Sequence, residues 1–457
     1  MSGSESQHQD AVERLRASYR AIPAGAPVRL AKRTSNLFRP RAATGASGLD
    51  VSGLTGVLHV DPADRTADVA GMCTYEHLVA ATLPHGLTPL VVPQLKTITL
   101  GGAVSGLGIE ATSFRNGLPH ESVLELDVLT GAGEVVTTKQ GDDLFAGFPN
   151  SYGTLGYATR LRIELESVRS HVALRHVRFG DLDEQSAAMA RIMATRSWDG
   201  EDVDYLDGVM FSPTESYLTL GRRTDHAGPS SDYTGQQIYY RSMQRRDHDM
   251  LTTHDYLWRW DTDWFWCSGA FGVQHPVVRR LWPRRFRRSD VYWKIIALAR
   301  RFDVENRLEA LHGRPRREPV IQDVEIPVER TAEFLRWFAE HVPISPVWLC
   351  PLRLRGERDW PLYPLEPGRD YVNAGFWATV PITSGPITSG GTDSAVNRAI
   401  EDQVHALGGH KSLYSDSFYS RADFDARYGG EHYATLKERY DPDRRLLDLY
   451  AKAVRRR

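Results

Sequence analysis

The segment of residues 93–117, PQLKTITLGGAVSGLGIEATSFRNG, constrains this chain more than any other stretch. It carries five glycines after the strand-like residues 97–100, and bulky side chains are few. A glycine has no Cβ, so another group can approach its backbone closely. A tight turn between two strands explains one or two of these glycines. Four of them fall within eight positions and instead predict close approach of a large ligand: Gly101, Gly102, Gly106 and Gly108.

The spacing of these glycines argues against two common phosphate-binding motifs. A dinucleotide fingerprint of the Rossmann type needs G-x-G-x-x-G at the start of an amphipathic helix, whereas the spacing here is GGxxxGxG. A Walker loop needs a lysine after its last glycine, and none follows here. The polar donors after the glycines, Ser113, Arg115 and Asn116, suit a phosphate or a ring edge.

The glycine segment resembles the phosphate-binding segment of flavoproteins with the PCMH-type FAD-binding fold, also known as the vanillyl-alcohol-oxidase fold. It is still more similar to that of the Δ24-sterol reductase (Diminuto/Seladin) family. The resemblance continues, in order, through SVLELDVLTGAGEVVTT, DLFAGFPNSYGTLGYATRLRIEL, VIQDVEIPV, ISPVWLCPLRL and LYSDSFYSRADFDARYGGEHYATLKERY.

This resemblance implies an α+β fold made of a two-part PCMH-type FAD-binding domain and an α+β substrate (cap) domain. We expect the FAD-binding domain over residues 1–168 and the cap over residues 169–405. Residues 406–457 are expected to return to the FAD-binding domain.

The resemblance also implies the cofactor and its contacts. Covalent members of the superfamily carry a histidine in a GGGHS-like turn, which residues 33–36 lack, so we expect noncovalent FAD, with NADPH as electron donor. The implied cofactor-binding residues are Arg33, Thr34, Ser35, Asn36, Pro93, Thr99, Leu100, Gly101, Gly102, Ala103, Gly106, Gly108, Ile109, Ser113, Gly117, Gly153, Thr154 and Gly156.

Composition excludes several other classes of protein. The net charge of −2, from 56 basic and 58 acidic residues, does not favour nucleic acid as a partner. Three cysteines without C-x-x-C or paired-histidine spacing give no zinc motif. No signal pattern and no apolar run of about 18 residues occurs, so we expect a cytoplasmic protein, at most peripheral on the inner face of the plasma membrane.

Two segments of the expected cap are unusual. Residues 256–272 hold four of the eleven tryptophans and predict either a plain core or the wall of an apolar substrate tunnel. Residues 279–302 combine nine basic residues and one acid with aromatic and aliphatic side chains. This pattern is typical of a peripheral membrane contact or of a solvated basic helix.

Local patterns predict several elements. Val12, Leu15 and Tyr19 have helical spacing, and a helix is expected from Thr74 to before Gly86. The glycines of residues 131–133 predict a hairpin turn. Residues 321–327 read as a strand that enters a helix at about Glu329, and residues 392–407 as a further helix.

The resembled family reduces a side-chain double bond of sterols with FAD and NADPH. An isolated alkene accepts hydride poorly, so such an enzyme needs a proton donor over one face of the alkene, flavin over the other, and little water. The candidate catalytic residues are Tyr414, Glu110, Gln322, Asp323 and His410. A structural role is open for each, with Glu110 as the partner of an arginine and Tyr414 as a buried ring with a bonded hydroxyl.

Seven lysines against 49 arginines are typical of GC-rich bacterial coding sequences. This favours the actinobacterial branch of the family, which reduces 10-methylene fatty-acyl chains to 10-methyl (tuberculostearic-type) chains. The alternatives are Δ24-sterol reduction, an FAD-dependent alcohol oxidase of the same fold, and a flavin-free lipid-binding module.

Overall fold

A computed structural model describes residues 3–32, 47–226, 228–301, 317–382 and 394–454. Helices and strands are both abundant, and the fold class is α+β, as predicted. The strands are β1 (Val28–Leu30), β2 (Ser47–Leu49), β3 (Val57–Asp61), β4 (Thr66–Ala70), β5 (Leu87–Pro89), β6 (Val123–Thr130), β7 (Val135–Lys139), β8 (Gly156–Ser167), β9 (His171–Phe179), β10 (Ser197–Trp198), β11 (Glu201–Asp202), β12 (Tyr205–Ser212), β13 (Glu215–Thr224), β14 (His248–Thr252), β15 (Arg317–Pro327), β16 (Val347–Leu352), β17 (Tyr371–Pro381) and β18 (His410–Lys411).

The α-helices are Gly3–Arg20, Tyr75–Thr82, Leu100–Ser105, Ser113–Asn116, Asp143–Gly147, Leu182–Thr195, Tyr239–Ser242, Thr253–Leu257, Pro276–Leu281, Ser289–Arg301, Thr331–His341, Ala395–Ala406, Arg421–Arg427, Gly430–Tyr440 and Leu449–Ala453. Short 3-10 turns occur at Leu83–His85, Pro119–Ser122, Cys267–Phe271, Arg284–Phe286 and Val328–Arg330.

The first half of the chain forms one mixed layer around a sheet of six strands. Its order is β3-β4-β8-β6-β7, with β5 paired to the far end of β8. The predicted hairpin is confirmed, since β6 and β7 are antiparallel across residues 131–134. The predicted helix start is confirmed too, because the hydroxyl of Thr74 caps the helix by accepting the N–H of His77.

The strand-like interpretation of residues 97–100 is wrong. Only Thr99 makes a bridge, to Thr74, and Leu100 begins a six-residue helix that contains Gly101 and Gly102. The β-branched residues 97–99 mimic a strand, but this helix packs Leu100 and Ala103 into the core. Tertiary burial therefore overrides the local propensity.

The second half of the chain builds an antiparallel sheet of eight strands in the order β14-β9-β13-β12-β16-β17-β15-β18. The helices Leu182–Thr195, Thr331–His341 and Ala395–Ala406 cover one face of this sheet. Tyr205, Val209 and Trp348 lie on the other face and join the core that includes the six-stranded layer. We call this second face the inner face.

The C-terminal segment contacts the first half of the chain. The backbone N–H of Leu413 donates to the hydroxyl of Tyr152, 3.1 Å away. The buried Lys437 Nζ donates to the carbonyl of Thr154 at 2.7 Å. Residues 410–454 therefore join the eight-stranded sheet to the loop before β8.

Candidate functional site

A row of polar side chains crosses the inner face of the eight-stranded sheet. Strand register aligns His410 with Glu325, Glu325 with Asn373, and Asn373 with Cys350. On the neighbouring strands, Asp207 lies opposite Thr219, and Thr219 lies opposite His176. A sheet face that packs on a core is normally apolar, because unpaired buried polar groups are costly. This polar row therefore needs an explanation in ligand binding or in paired charges.

Paired charges explain Asp207, which lies inside the row between Thr219 and Cys350. Arg259 is buried and places Nη2 3.0 Å from Oε1 of Glu110 and 2.9 Å from Oδ2 of Asp207. The indole N–H groups of Trp260 and Trp348 also donate to Oδ2 of Asp207. Glu110, predicted as catalytic or as the partner of an arginine, therefore has an arginine partner.

Two carboxyls share one guanidinium in this cluster, so the charge balances fully only when one carboxyl is protonated. Burial is the main reason why the pKa of Glu110 rises to about 7, and Asp207 raises it further while Arg259 opposes the shift. Oε2 of Glu110 has no hydrogen-bond partner among the described residues. The cluster joins the glycine segment to the sheet, and Glu110 can hold a proton near neutral pH.

A second acid, Asp323, lies on the inner face beside aromatic side chains that are not fully buried. Asp323 is hydrogen-bonded to Asn373, at 3.3 Å, and to Tyr414. The hydroxyl of Tyr414 also accepts the indole N–H of Trp377, at 3.0 Å. Burial raises the pKa of Asp323 to about 7 and that of Tyr414 well above its ordinary value. Asp323 and Tyr414, which were predicted separately, thus form one proton-bearing unit.

The aromatic wall next to this unit comes from the tryptophan-rich segment. The ring of Phe265 stacks on Trp377 with centroids 4.3 Å apart, and Trp266 lies 5.4 Å from Trp377. Trp266 and Trp377 are only half-buried, whereas Trp258, Trp260 and Trp264 are buried. Most of the segment is therefore plain core, and one edge of it forms a partly open apolar surface.

His410 is held in a different environment. Its ring lies between Tyr363, 4.5 Å away, and Tyr428, 4.7 Å away. Burial lowers its pKa to about 3, so the imidazole is neutral at physiological pH. Glu325, its neighbour in the row, accepts the hydroxyl of Tyr363, and burial holds the pKa of Glu325 well above its usual range. His410 is therefore a poor acid for donating a proton to substrate.

Gln322 does not belong to the inner face. Successive side chains of a strand point to opposite faces, so Gln322 faces the helical layer while Asp323 faces inward. Its side-chain amide donates to Oδ1 of Asn397 at 2.7 Å. The structure thus separates two neighbouring catalytic candidates that were placed on one strand, and Gln322 contacts a helix instead of the site.

The glycine segment is mostly packed against protein. A Cβ on Gly101 would lie 2.6 Å from the carbonyl of Gly71, and one on Gly108 would lie 2.9 Å from Pro93. Gly106 abuts the ring of Tyr152, and Gly117 has a φ of 69° beside Glu121. These glycines are needed for packing inside the chain, which corrects the prediction that a ligand required all of them.

Gly102 is the exception. It is exposed, and a Cβ there would approach only the Oγ1 of Thr99 within 4 Å. Nζ of Lys32 donates to that same Oγ1, at 3.0 Å, and supplies a half-buried cation beside the accessible backbone. This surface has the charge and the open glycine that a dinucleotide diphosphate needs. Arg33, Thr34, Ser35 and Asn36 follow Lys32 but lie outside the described residues.

Other residues that were predicted to contact the cofactor are buried or are paired within the chain. Leu100, Ala103, Ile109 and Pro93 are buried. Ser113 is buried, and its hydroxyl accepts the N–H of Glu110 at 3.1 Å. Arg115, the donor expected next to it, instead forms a bidentate ion pair with Glu166, at 2.8 and 3.0 Å.

The loop before β8 combines backbone strain with unpaired polar groups. Asn150, Tyr152 and Gly153 have φ values of 59°, 51° and 73°, in the left-handed region. The side chain of Asn150 and the hydroxyl of Ser151 are buried and have no hydrogen-bond partner among the described residues. Strain and unpaired groups of this kind concentrate at ligand sites. Asn150 and Ser151 can therefore hold a cofactor.

The residues of this loop that were predicted to bind the cofactor make contacts within the chain or shape the turn instead. The Oγ1 of Thr154 donates to the carbonyl of Ser151 at 2.7 Å. A Cβ on Gly156 would lie 2.6 Å from the carbonyl of Leu129, so that glycine is needed where β8 meets β6. Gly153 supplies the left-handed turn at the tip.

Sequence reasoning missed several residues of this site. Glu325 could have been found, because it lies two positions after Asp323 in a strand and must share its face. Lys32 directly precedes the predicted residues 33–36. Arg259 and Asp207 gave no local signal, since Arg259 lies 149 positions from Glu110 and 52 positions from Asp207.

The part of the chain that the structure describes has neither a candidate metal cluster nor a helix able to span a membrane. There, no three histidine, cysteine or acidic side chains come together in a way that could hold a metal ion. Within the same residues, no helix has both the length and the apolar character needed to cross a membrane.

Comparison with known proteins agrees with this geometry. Residues 5–139 match the family model of an FAD binding domain. This range includes the glycine segment, Lys32 and the six-stranded layer up to β7. The chain therefore contains an FAD binding domain and is an FAD-dependent oxidoreductase.

Similar proteins extend the match beyond that domain. The chain is 24% identical to the Delta(24)-sterol reductase of Arabidopsis thaliana over 456 residues, which cover 90% of this chain and 77% of the relative. It is 24% identical to the human Delta(24)-sterol reductase over 420 residues, covering 87% and 76%. Cytokinin dehydrogenase 10 of Oryza sativa subsp. japonica is 32% identical over 168 residues, covering 36% of this chain and 30% of the relative.

Proposed function

We propose that this protein reduces an isolated C=C bond in a lipid with FAD, and that its substrate is a 10-methylene fatty-acyl chain of a phospholipid, reduced to the 10-methyl chain with NADPH. The similarity to Delta(24)-sterol reductases along most of both chains supports reduction of an alkene. The arginine-rich composition supports the fatty-acyl substrate over the sterol.

The observation that carries this proposal is the Asp323–Tyr414 unit beside Trp377. A carboxyl with a pKa of about 7 is largely protonated at slightly acid pH and still releases its proton readily. The partly open faces of Trp266 and Trp377 offer an apolar surface for an acyl chain. Their π-electrons also stabilise positive charge that develops on carbon, by about 1 kcal/mol or more per ring when desolvated.

In this proposal, Asp323 protonates the less substituted alkene carbon. Tyr414 and Asn373 orient the carboxyl by hydrogen bonds and stabilise the carboxylate that remains. Bound FAD, once reduced, supplies the hydride that completes the saturated chain. Glu110 is buried and its Oε1 accepts from the buried Arg259, so in this proposal it is a second proton store and not the direct donor.

The proposed cofactor site is built from the open surface at Gly102, the ammonium group of Lys32, and the unpaired side chains of Asn150 and Ser151. Tyr152 joins these parts, because its backbone N–H donates to the carbonyl of Ser105 at 2.6 Å and its hydroxyl reaches Leu413. The polar groups offered are neutral or cationic, as an FAD diphosphate requires.

The test is an anaerobic half-reaction. NADPH should bleach the flavin, and a phospholipid bearing a 10-methylene chain should restore its colour, with the product heavier by the mass of H2. Expression in a host that accumulates methylene-branched lipids should give the same mass gain. If NADPH bleached the flavin and only sterols with a Δ24 double bond restored its colour, the result would contradict the fatty-acyl substrate.

Oxidation is the second candidate function. The similarity of about a third of the chain, 36%, to a protein named as a dehydrogenase favours it. In that case an alcohol, and not NADPH, should bleach the flavin under the same anaerobic conditions. Purified protein without a yellow chromophore would instead favour the lipid-binding module.

A further inference from the structure

A cluster of exposed apolar side chains lies on one short segment of the second half of the chain. Six large hydrophobic side chains are exposed in the described residues, and four of these lie within ten positions. A cluster of large apolar side chains on the surface marks a contact site for another protein, a ligand or a membrane. We call residues 276–286 the apolar-basic loop. Its exposed apolar members are Leu281 at 78%, Val277 at 60%, Phe286 at 42% and Val278 at 36%.

Two buried arginines hold the backbone of the apolar-basic loop in place. Arg279 is buried and pairs with both oxygens of Asp263, at 2.7 and 3.0 Å, and its Nε donates to the carbonyl of Gly235 at 2.7 Å. Arg287 is buried as well and donates to the carbonyls of Gly235, at 2.7 Å, and Trp282, at 2.9 Å. Five or more charge-assisted hydrogen bonds thus hold the backbone, and the apolar side chains point outward from a rigid support.

Exposed cations accompany the apolar side chains. Arg284 pairs with Asp232 at 2.9 Å. Within the described part of the chain, no acidic group lies within ion-pair distance of Arg280 or Arg285. The guanidinium of Arg285 lies 4.8 Å from the ring centroid of Phe286. Aliphatic and aromatic side chains next to unneutralised arginines complement an interface of acyl chains and anionic headgroups.

The loop is connected to the candidate site. Asp263, which anchors Arg279, lies two residues before Phe265, which stacks on Trp377. We propose that the apolar-basic loop docks this enzyme on a phospholipid bilayer that contains anionic headgroups, with Leu281 and Phe286 among the acyl chains and Arg280 and Arg285 at the phosphates. This role rests on the proposed function, because a membrane surface is where a phospholipid-borne alkene is found.

The test is sedimentation of the full-length, FAD-loaded protein with vesicles. Vesicles of phosphatidylcholine alone are compared with vesicles that contain about 30 mol % phosphatidylglycerol. We expect binding to the anionic vesicles that weakens at about 0.5 M NaCl. Leu281→Ser should lower the partition coefficient about tenfold. Arg280→Gln should lower it about fivefold on anionic vesicles and leave the weaker binding to phosphatidylcholine unchanged.

Leu447→Ser is the matched control, since Leu447 is 47% exposed and lies outside the loop. It should bind vesicles like the unaltered protein, and all variants should keep their flavin absorbance and melting temperature. Equal sedimentation of Leu281→Ser and the unaltered protein, or no sedimentation with either vesicle, would overturn the proposal. So would a dimer that Leu281→Ser dissociates without any vesicle binding, because the loop would then contact a second copy of the chain.

This assay involves no turnover, so it separates the two proposals. A protein that reduces detergent-solubilised methylene lipid but does not bind vesicles would keep the proposed function and lose the docking surface. A protein that binds anionic vesicles through Leu281 but reduces no alkene would keep the docking surface and lose the proposed function.

Discussion

At the scale of single residues, two carboxyls with a pKa of about 7 differ in what surrounds them. Glu110 is buried against Arg259, whereas Asp323 lies half-buried among Tyr414, Asn373 and a partly open aromatic wall. A general acid must reach the substrate, so exposure decides between them and favours Asp323.

Asp323→Asn should lower kcat/KM for alkene reduction by about 100-fold or more, because an amide cannot donate an acidic proton. In the proposed mechanism, the protonated carboxyl is the active form. We therefore expect kcat/KM to be constant at acid pH and to fall above pH 7, the pKa of Asp323. The variant should lack this pH dependence. A pH profile from anaerobic stopped-flow reoxidation of the flavin measures both effects.

Asp370→Asn is the matched control, since Asp370 lies next to β17 but pairs with Arg353 at 2.5 Å. It should keep the pH profile. If Glu110→Gln removed the fall above pH 7 and Asp323→Asn kept it, the proton donor would be Glu110.

Gly102 allows a sharp test of the cofactor site. Gly102→Val should still fold, because its Cβ, 2.8 Å from Oγ1 of Thr99, requires only that this hydroxyl turn away. It should purify without bound flavin, because the added side chain fills the accessible surface and displaces the hydroxyl that Lys32 contacts. The ratio of flavin to protein absorbance measures this loss. Gly56→Val, at an exposed glycine with open space around it, should keep its flavin. Full flavin occupancy in Gly102→Val would place the cofactor elsewhere.

At the scale of elements, the tryptophan-rich segment is joined to the sheet by Arg259. Arg259→Met should leave Glu110 and Asp207 buried without a cation, so we expect the free energy of unfolding to fall by about 3–5 kcal/mol. Denaturant unfolding followed by tryptophan fluorescence measures it.

Arg16→Ala provides the comparison, because Arg16 pairs with Glu13 on an exposed helix surface. It should change the free energy of unfolding by less than about 1 kcal/mol. Equal stability of the two variants would mean that the buried cluster contributes no more than a surface ion pair. The cluster would then not be needed to hold the segment against the sheet.

Elements with a strong local pattern were predictable, and elements defined by distant contacts were not. Leu15 and Tyr19 have helical spacing and are buried, as expected of an amphipathic helix. Residues 97–100 were misread as a strand, since Leu100 and Ala103 are buried in a core that is completed by residues distant along the chain. Alternation in β15 could have placed Asp323 and Gln322 on opposite faces, but which face holds the site depends on the sheet order.

At the scale of the whole molecule, the C-terminal segment ties the two sheets together at Lys437. Its Nζ is buried, pairs with Asp441 at 2.5 Å and donates to the carbonyl of Thr154. Lys437→Met should lower the free energy of unfolding by about 3 kcal/mol, since Asp441 keeps two backbone donors but loses its cation. The loop before β8 should loosen as well, so flavin fluorescence should appear at a lower temperature.

Lys139→Met, at an exposed lysine of β7, should leave both the free energy of unfolding and the flavin-release temperature unchanged. If Lys437→Met released its flavin at the same temperature as Lys139→Met, the C-terminal segment would have no part in holding the loop before β8.

The sequence by itself predicted the α+β class and the FAD-binding region through its resemblance to a known family. It also predicted several helices and the hairpin at residues 131–133, because these depend on spacing within a few residues. The tertiary structure alone decided which polar groups share a face, which glycines pack against protein, and that Arg259 pairs with both Glu110 and Asp207. The physical reason is that burial and pairing depend on strand order and on contacts between residues far apart in the chain, such as the 52 and 149 positions that separate Arg259 from Asp207 and Glu110, and no local pattern encodes them.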